Sequence, residues 1–122
     1  MSINIKSIKD RIGIDLGSSI PIEDGLVYAS EADFRFVDIR IGDVKNKFES
    51  FDKSRVSKIR NLLESKDLIM GLHTLSAVNM AEFAPYLSEA VDAYIKSYID
   101  IAKLIDANWV EVHAGFHFTG DY

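Results

Sequence analysis

Two histidines end two predicted strands in the same way, Leu68-Ile69-Met70-Gly71-Leu72-His73 and Trp109-Val110-Glu111-Val112-His113. Neutral imidazole ligates zinc, manganese, cobalt or iron, and two imidazoles alone make an incomplete shell that needs carboxylate or water partners. The sequence offers such carboxylates. Asp15 lies on a first predicted strand, Asp38 on a second, and Glu111 sits two residues before His113. Glu111 therefore shares a strand face with His113, where it can orient the imidazole or pair with Arg40. Asp38 can pair with Arg40 in the same way. The plain alternative is two half-buried histidines bonded to backbone at strand ends. His117, after the fourth strand, is a loop histidine or a further ligand. Asn79, after the third, is a site-loop residue or a turn-stabilising amide. Lys6, Lys9 and Arg11 form a small basic cluster, read as solvated.

The elements that must position these groups follow from periodicity. The first strand spans residues 11–16 and ends at Gly17-Ser18-Ser19. Pro21 opens a helical stretch over 22–32 with Leu26, Val27 and Ala29 as apolar contacts, weakened by Gly25. The second strand covers 34–41, and a polar loop runs from Val44 to Phe51. Asp52 then N-caps a helix carrying Val56, Ile59, Leu62 and Leu63. After the third strand (68–73) and a loop over 74–84, Pro85 starts the strongest helical stripe. It reads Leu87, Ala90, Val91, Tyr94, Tyr98, Ile101, Ala102 and Ile105. Tyr86, Tyr94 and Tyr98 are read as packing residues. The fourth strand is 109–113. Repeated βα units imply a parallel sheet with helices outside it.

Side chains alternate along a strand, so residues two apart share a face. Val37, Ile39 and Ile41 oppose Phe36, Asp38 and Arg40; Met70 and Leu72 oppose Ile69, Gly71 and His73. Val110 and Val112 oppose Trp109, Glu111 and His113, and Ile12, Ile14 and Leu16 oppose Gly13 and Asp15. Each strand has an apolar face for helices and another whose C-terminal end is ionisable. A doubly wound sheet would be apolar on both faces. A barrel interior with a working mouth reads this way instead. The expected class is α/β, with parallel βα repeats of the TIM-barrel type, and residues 1–122 are read as a single domain with 48% hydrophobic content for its core. The chain has no cysteine, which excludes disulfides and thiolate sites and makes a cytoplasmic location the natural expectation. The residues lack a membrane-length apolar run or a signal-peptide core. A net charge of −5 with dispersed basic residues speaks against a nucleic-acid footprint.

At this point the sequence resembles the xylose-isomerase-like TIM barrels, which include sugar-phosphate isomerases and epimerases and the endonuclease IV group. The resemblance rests on Ile12-Gly13-Ile14-Asp15, Phe36-Val37-Asp38-Ile39, Leu72-His73-Thr74 with Val78-Asn79-Met80-Ala81, the helix end Ile101 to Ile105, and Val112-His113-Ala114-Gly115. It implies metal ligation by His73 and His113, with Asp38 and Glu111 in support as catalytic carboxylates. It further implies a divalent cofactor (zinc, manganese, cobalt or magnesium). The implied activity is proton transfer next to a carbonyl on a sugar or sugar phosphate. Ala114 stands where members usually carry proline, and Leu75-Ser76 where endonuclease IV-like chains tend to have Pro-Tyr. With the charge, the second departure leads to an expectation of no nucleic-acid partner. The rival readings are an endonuclease IV-like phosphodiesterase and a non-catalytic half-barrel module.

The family barrel has eight strands and this sequence supplies four, so a four-stranded half barrel is expected, the first four βα units of a truncated whole. Phe36, Ile69 and Trp109 would line an uncovered face, and each large apolar side chain left wet forfeits about 1.5–3 kcal/mol. Association with a second copy, or with a complementing half-barrel chain, is the expected remedy. The remaining ligands and proton carriers would lie on the other strands, so the cofactor site is expected to be weakly held and this chain inactive alone.

Overall fold

The computed structural model describes residues 10–116. Strands β1 (Gly13–Asp15), β2 (Phe36–Arg40), β3 (Ile69–His73) and β4 (Trp109–Glu111) alternate with helices α1 (Ile22–Glu31), α2 (Lys53–Ser65) and α3 (Pro85–Leu104). A 3-10 turn at Phe48–Ser50 interrupts the loop expected to be irregular. All strand pairs are parallel, in the order β1-β2-β3-β4. Strict sequential order is the pattern of a barrel wall; a doubly wound sheet reverses order at its switch point. The half-barrel expectation is thus met by the described residues. None of their helices is long and apolar enough to cross a membrane.

The outward faces of the strands build the core. Val37, Ile39, Ile41, Met70 and Leu72 are buried against Ile22, Leu26, Ala29, Ile59, Leu63, Tyr98, Ile101 and Ile105 from the helices. Gly25, which weakens α1 by propensity, is explained by packing: a Cβ there would come within 2.8 Å of the Leu16 side chain. The small residue lets α1 approach the sheet. The outer strands depart from expectation. β1 and β4 are each paired on one side only, so both are shorter than predicted, and Ile12 and Val112 are exposed rather than packed. His113 accordingly lies beyond β4, not on it.

One local device recurs at all three helix ends. Asp33, Asp67 and Asp106 each follow a helix and adopt positive φ (63°, 50° and 57°). The next residue closes back over the helix, through Phe34 N–H to the Ala29 carbonyl (2.9 Å), Leu68 N–H to Leu63 (3.0 Å) and Ala107 N–H to Ala102 (2.9 Å). These are Schellman closures, with aspartate in the left-handed position that glycine more often takes. Each turns the chain from a helix into the next strand.

Two buried polar clusters fix the outer layer at the C-terminal side of the sheet. Asn46 is fully buried and satisfied: its Oδ1 accepts from Ile22 N (3.1 Å) and Arg55 Nη2 (2.8 Å), and its Nδ2 donates to the Ile20 carbonyl (3.0 Å). Arg55 also grips Glu23 with two bonds of 2.9 and 3.0 Å, tying α2 to α1. Tyr98, fully buried on α3, donates to the Ile41 carbonyl (2.5 Å), and Phe48 meets its ring edge-on at 5.5 Å. Its phenol is pushed far above the ordinary range, by burial first and by Tyr94 second. The stripe on α3 is buried only toward its C-terminal end. Leu87 and Tyr86, expected to pack, are exposed, and the buried residues of α3 are Tyr98, Ile101 and Ala102.

The Glu23–Arg55 pair generates a pH-dependent prediction. Burial raises the Glu23 carboxyl, but the Arg55 bonds, a local backbone bond and the Lys58 charge together bring it below its ordinary value. A depressed folded-state pKa adds stability above the unfolded value, lost as pH falls through the folded one. Glu23→Gln is expected to cost about 1–3 kcal/mol at neutral pH in urea denaturation. The gap to wild type should close in acid, where both side chains are neutral.

Candidate metal centre

The opposite, inner face of the sheet is layered by the register. Gly13, Phe36 and Ile69 lie side by side lowest, then Asp15, Asp38, Gly71 and Trp109. Arg40, His73 and Glu111 form the layer at the C-terminal ends, and Gly17 joins them through its carbonyl, which accepts from Arg40 N at 2.8 Å. Period-two alternation in unstaggered parallel strands is enough to gather these groups. Glycine does the rest. A Cβ on Gly71 would fall 1.9 Å from Trp109 Nε1, so the indole lies flat across Gly71 and floors the polar layer. Gly13 lets its register partner Phe36 come close in another way, since a Cβ there would meet the Phe36 Cβ and carbonyl oxygen at 3.0 Å. The large side chains expected to be wet, Phe36, Ile69 and Trp109, are half-buried, the Trp109 indole by lying on its own sheet.

His73 is the centre of the polar layer and both its nitrogens are engaged. Nδ1 lies 3.1 Å from Asp38 Oδ2 and 3.9 Å from Asp15 Oδ2. Nε2 lies 2.9 Å from His113 Nε2 and 4.0 Å from Glu111 Oε1. The two rings are 5.0 Å apart between centroids and tilted by 31°. All four residues singled out in the sequence thus converge, and Asp15 joins them. Asp15, Asp38 and His73 each bring one ligand-type atom to within 4.8 Å of the others. Both ion pairs expected for Arg40 are absent among the described residues. Asp38 turns to His73 instead, Glu111 stands two strands away, and Arg40 Nη2 donates to Ser18 Oγ at 2.6 Å.

Asp38 Oδ1 is buried without a hydrogen-bond partner. Burial is the largest influence on this carboxyl and holds its pKa above the ordinary value. The charges of Glu111 and Asp15 push the same way, opposed by His73 and by a weak pull from the Trp109 indole, which is short of hydrogen-bond geometry. Above this layer opens a cavity of about 160 Å³ bordered by both histidines, Asp15 and Arg40, with Gly17, Thr74 and Ser76 on its rim. A larger hollow of about 450 Å³ lies at the other end of the sheet, beside the Arg60–Asp106 ion pair, and gathers no histidine.

His113 is held by turn chemistry that the sequence showed only in outline. Asn79 Oδ1 accepts from Ala81 N (3.2 Å) and from Phe116 N (3.0 Å), clasping the loop after β3 to the segment after β4. Gly115 (φ 78°) fits under that clasp, where a Cβ would come within 2.3 Å of the Asn79 oxygen. The amide reading of Asn79 is correct, and its partner across the loops is the part sequence spacing does not show. His117, Lys6 and Lys9 lie outside the described residues.

No protein-family model matches the chain, and no curated protein does. A solved structure does: endonuclease IV from Thermus thermophilus, at 20% identity and a TM-score of 0.70, over 84% of this chain. The chain spans 39% of that structure's length. The match bears out the resemblance to the xylose-isomerase-like barrels at the level of fold, as part of a barrel. It also corrects one expectation. The structure matched is an endonuclease, so the reading of a sugar-type partner with nucleic acid excluded is overturned. Dispersed surface charge and Leu75-Ser76 were too weak a basis for it.

The floor of the site is testable through the chain's one tryptophan. Gly71→Val should lift the indole off the sheet, shift its emission to longer wavelength and cost about 1–3 kcal/mol. Emission identical to wild type would mean that the ring does not lie on Gly71.

Proposed function

We propose that this chain carries one side of a metal-dependent phosphodiesterase centre of the endonuclease IV type. His73 and His113 are the metal ligands, and Asp38 and Glu111 act beside them. The observation that carries this is the pair of imidazole Nε2 atoms at 2.9 Å, backed by Asp38 on the far nitrogen of His73. Two nitrogens that close either share a proton or face a common cation. A carboxylate accepting from Nδ1–H leaves Nε2 as the lone pair, the arrangement by which proteins prepare a histidine for metal. The donor set of imidazoles and carboxylates fits zinc or manganese.

When bound, a divalent cation supplies Lewis acidity toward phosphoryl oxygens and an activated water for in-line attack on phosphorus. Asp38 fixes the His73 tautomer and ring plane. Glu111, half-exposed and within 4.0 Å of the His73 nitrogen, would be the carboxylate placed to accept a proton at Oε1. Trp109 forms the floor of the site below His73. Isomerase or epimerase chemistry would use the same histidines. What favours hydrolysis is the match to an endonuclease, joined to a cavity that sets a cationic side chain beside the imidazoles.

Calorimetric titration with zinc chloride should give one site per chain, with His73→Ala and His113→Ala each weakening it at least about tenfold and Asp38→Asn by roughly ten- to a hundredfold. A duplex oligonucleotide should bind in fluorescence anisotropy, more weakly as salt rises. Zinc affinity indifferent to both histidines would overturn the metal assignment. Failure to retain the duplex at low salt would overturn the nucleic-acid reading.

A further inference from the structure

We propose that Arg40 forms an anion subsite beside the histidine pair, a seat for the non-bridging oxygens of a phosphodiester or of free phosphate. The proposal deepens the phosphodiesterase reading and rests on it for its biological substrate, though not for its geometry. Arg40 is the register partner of His73, so the two side chains stand next to each other on the inner face and border the same cavity. The guanidinium is half-buried, and its side-chain partner is the neutral hydroxyl of Ser18. Among the described residues no carboxylate pairs with it, although three carboxylates share its face. Asp15 Oδ1 accepts from Gly17 N at 2.7 Å, and Asp38 and Glu111 converge on His73 from its two sides.

A half-buried guanidinium with one hydrogen bond retains four donors and an uncompensated charge. Its planar fork suits tetrahedral oxyanions better than any other side chain does. The hydroxyl-bearing residues Thr74 and Ser76 rim the same cavity, whose 160 Å³ equals roughly five water volumes, room for an ion of five heavy atoms. The polar layer is therefore divided. The imidazoles and carboxylates face a cation, and Arg40 with the hydroxyl rim faces an anion. In a protein of net charge −5, Arg40 is, among the described residues, the one arginine or lysine bordering this cavity, which Asp15 also borders.

Sodium phosphate titrated against the arginine side-chain N–H resonances tests this. In wild type the Arg40 signal should shift saturably. Arg40→Met should weaken phosphate roughly tenfold or more, and Arg40→Lys, which keeps the charge and loses the fork, should fall between them. His113→Ala should leave phosphate affinity within about twofold, and Arg40→Met should leave zinc affinity within about twofold. An Arg40 resonance unmoved by phosphate, or an Arg40→Lys protein that binds it as wild type does, would refute the subsite. Zinc binding without phosphate binding would sink the subsite alone; phosphate binding without zinc binding would sink the metal reading alone. Backbone amide spectra identify a variant that has failed to fold, and the Lys variant then decides.

Discussion

A neutral imidazole has two nitrogens and one proton, and His73 has company at both. That restriction organises the inner face. In the proposed centre, whatever lies at Nδ1 decides what Nε2 offers, so Asp38, 3.1 Å from Nδ1, would set how His73 meets His113. The restriction also explains why the carboxylates are distributed as they are, with two on the β1–β2 side of the ring and one on the β4 side. Burial of Asp38 shields its 3.1 Å contact with His73 from solvent, at the expense of an oxygen left without a partner.

The fold delivers this arrangement through repetition. Each helix ends in an aspartate of positive φ and a Schellman closure, and each following strand enters the sheet beside its predecessor. With no stagger between neighbours, residues of like parity line up across the sheet, and the layers of the inner face are a direct result. Gly71 allows the Trp109 indole from the adjacent strand to lie down on that face. The apolar part of the surface is thereby partly self-covered, and the ionisable part is left open at the mouth.

Much of this was legible in the residues. Alternation along Phe36–Arg40 and Ile69–His73 gave the faces correctly, the Asp52 cap holds α2 with a 2.8 Å bond to Arg55 N, and the two histidines do meet, though His113 does so from two residues past the end of β4. The failures have physical causes. The length of β1 and β4 depends on which neighbours a strand has, and local pattern carries no such information. The partner of Arg40 was misjudged because spacing shows that Asp38 and Arg40 share a face but not that His73 competes for the carboxylate. The buried role of Asn46 was hidden within a stretch that reads as solvated loop. The exclusion of nucleic acid failed because net charge averages over a whole surface and carries no information about a local patch.

The hydroxyls on α3 join distant parts of the chain. Tyr94 accepts from Leu75 N at 3.2 Å and donates to Tyr98 at 3.3 Å, which in turn donates to the carbonyl of Ile41. The helix is thus lashed at once to the segment leaving β2 and to the one leaving β3. Any sliding of α3 along its axis must break this relay or drag both segments with it. The two walls of the mouth beside Arg40 and His73 are geared together, and a displacement felt at one reaches the other through a helix that stands outside the sheet.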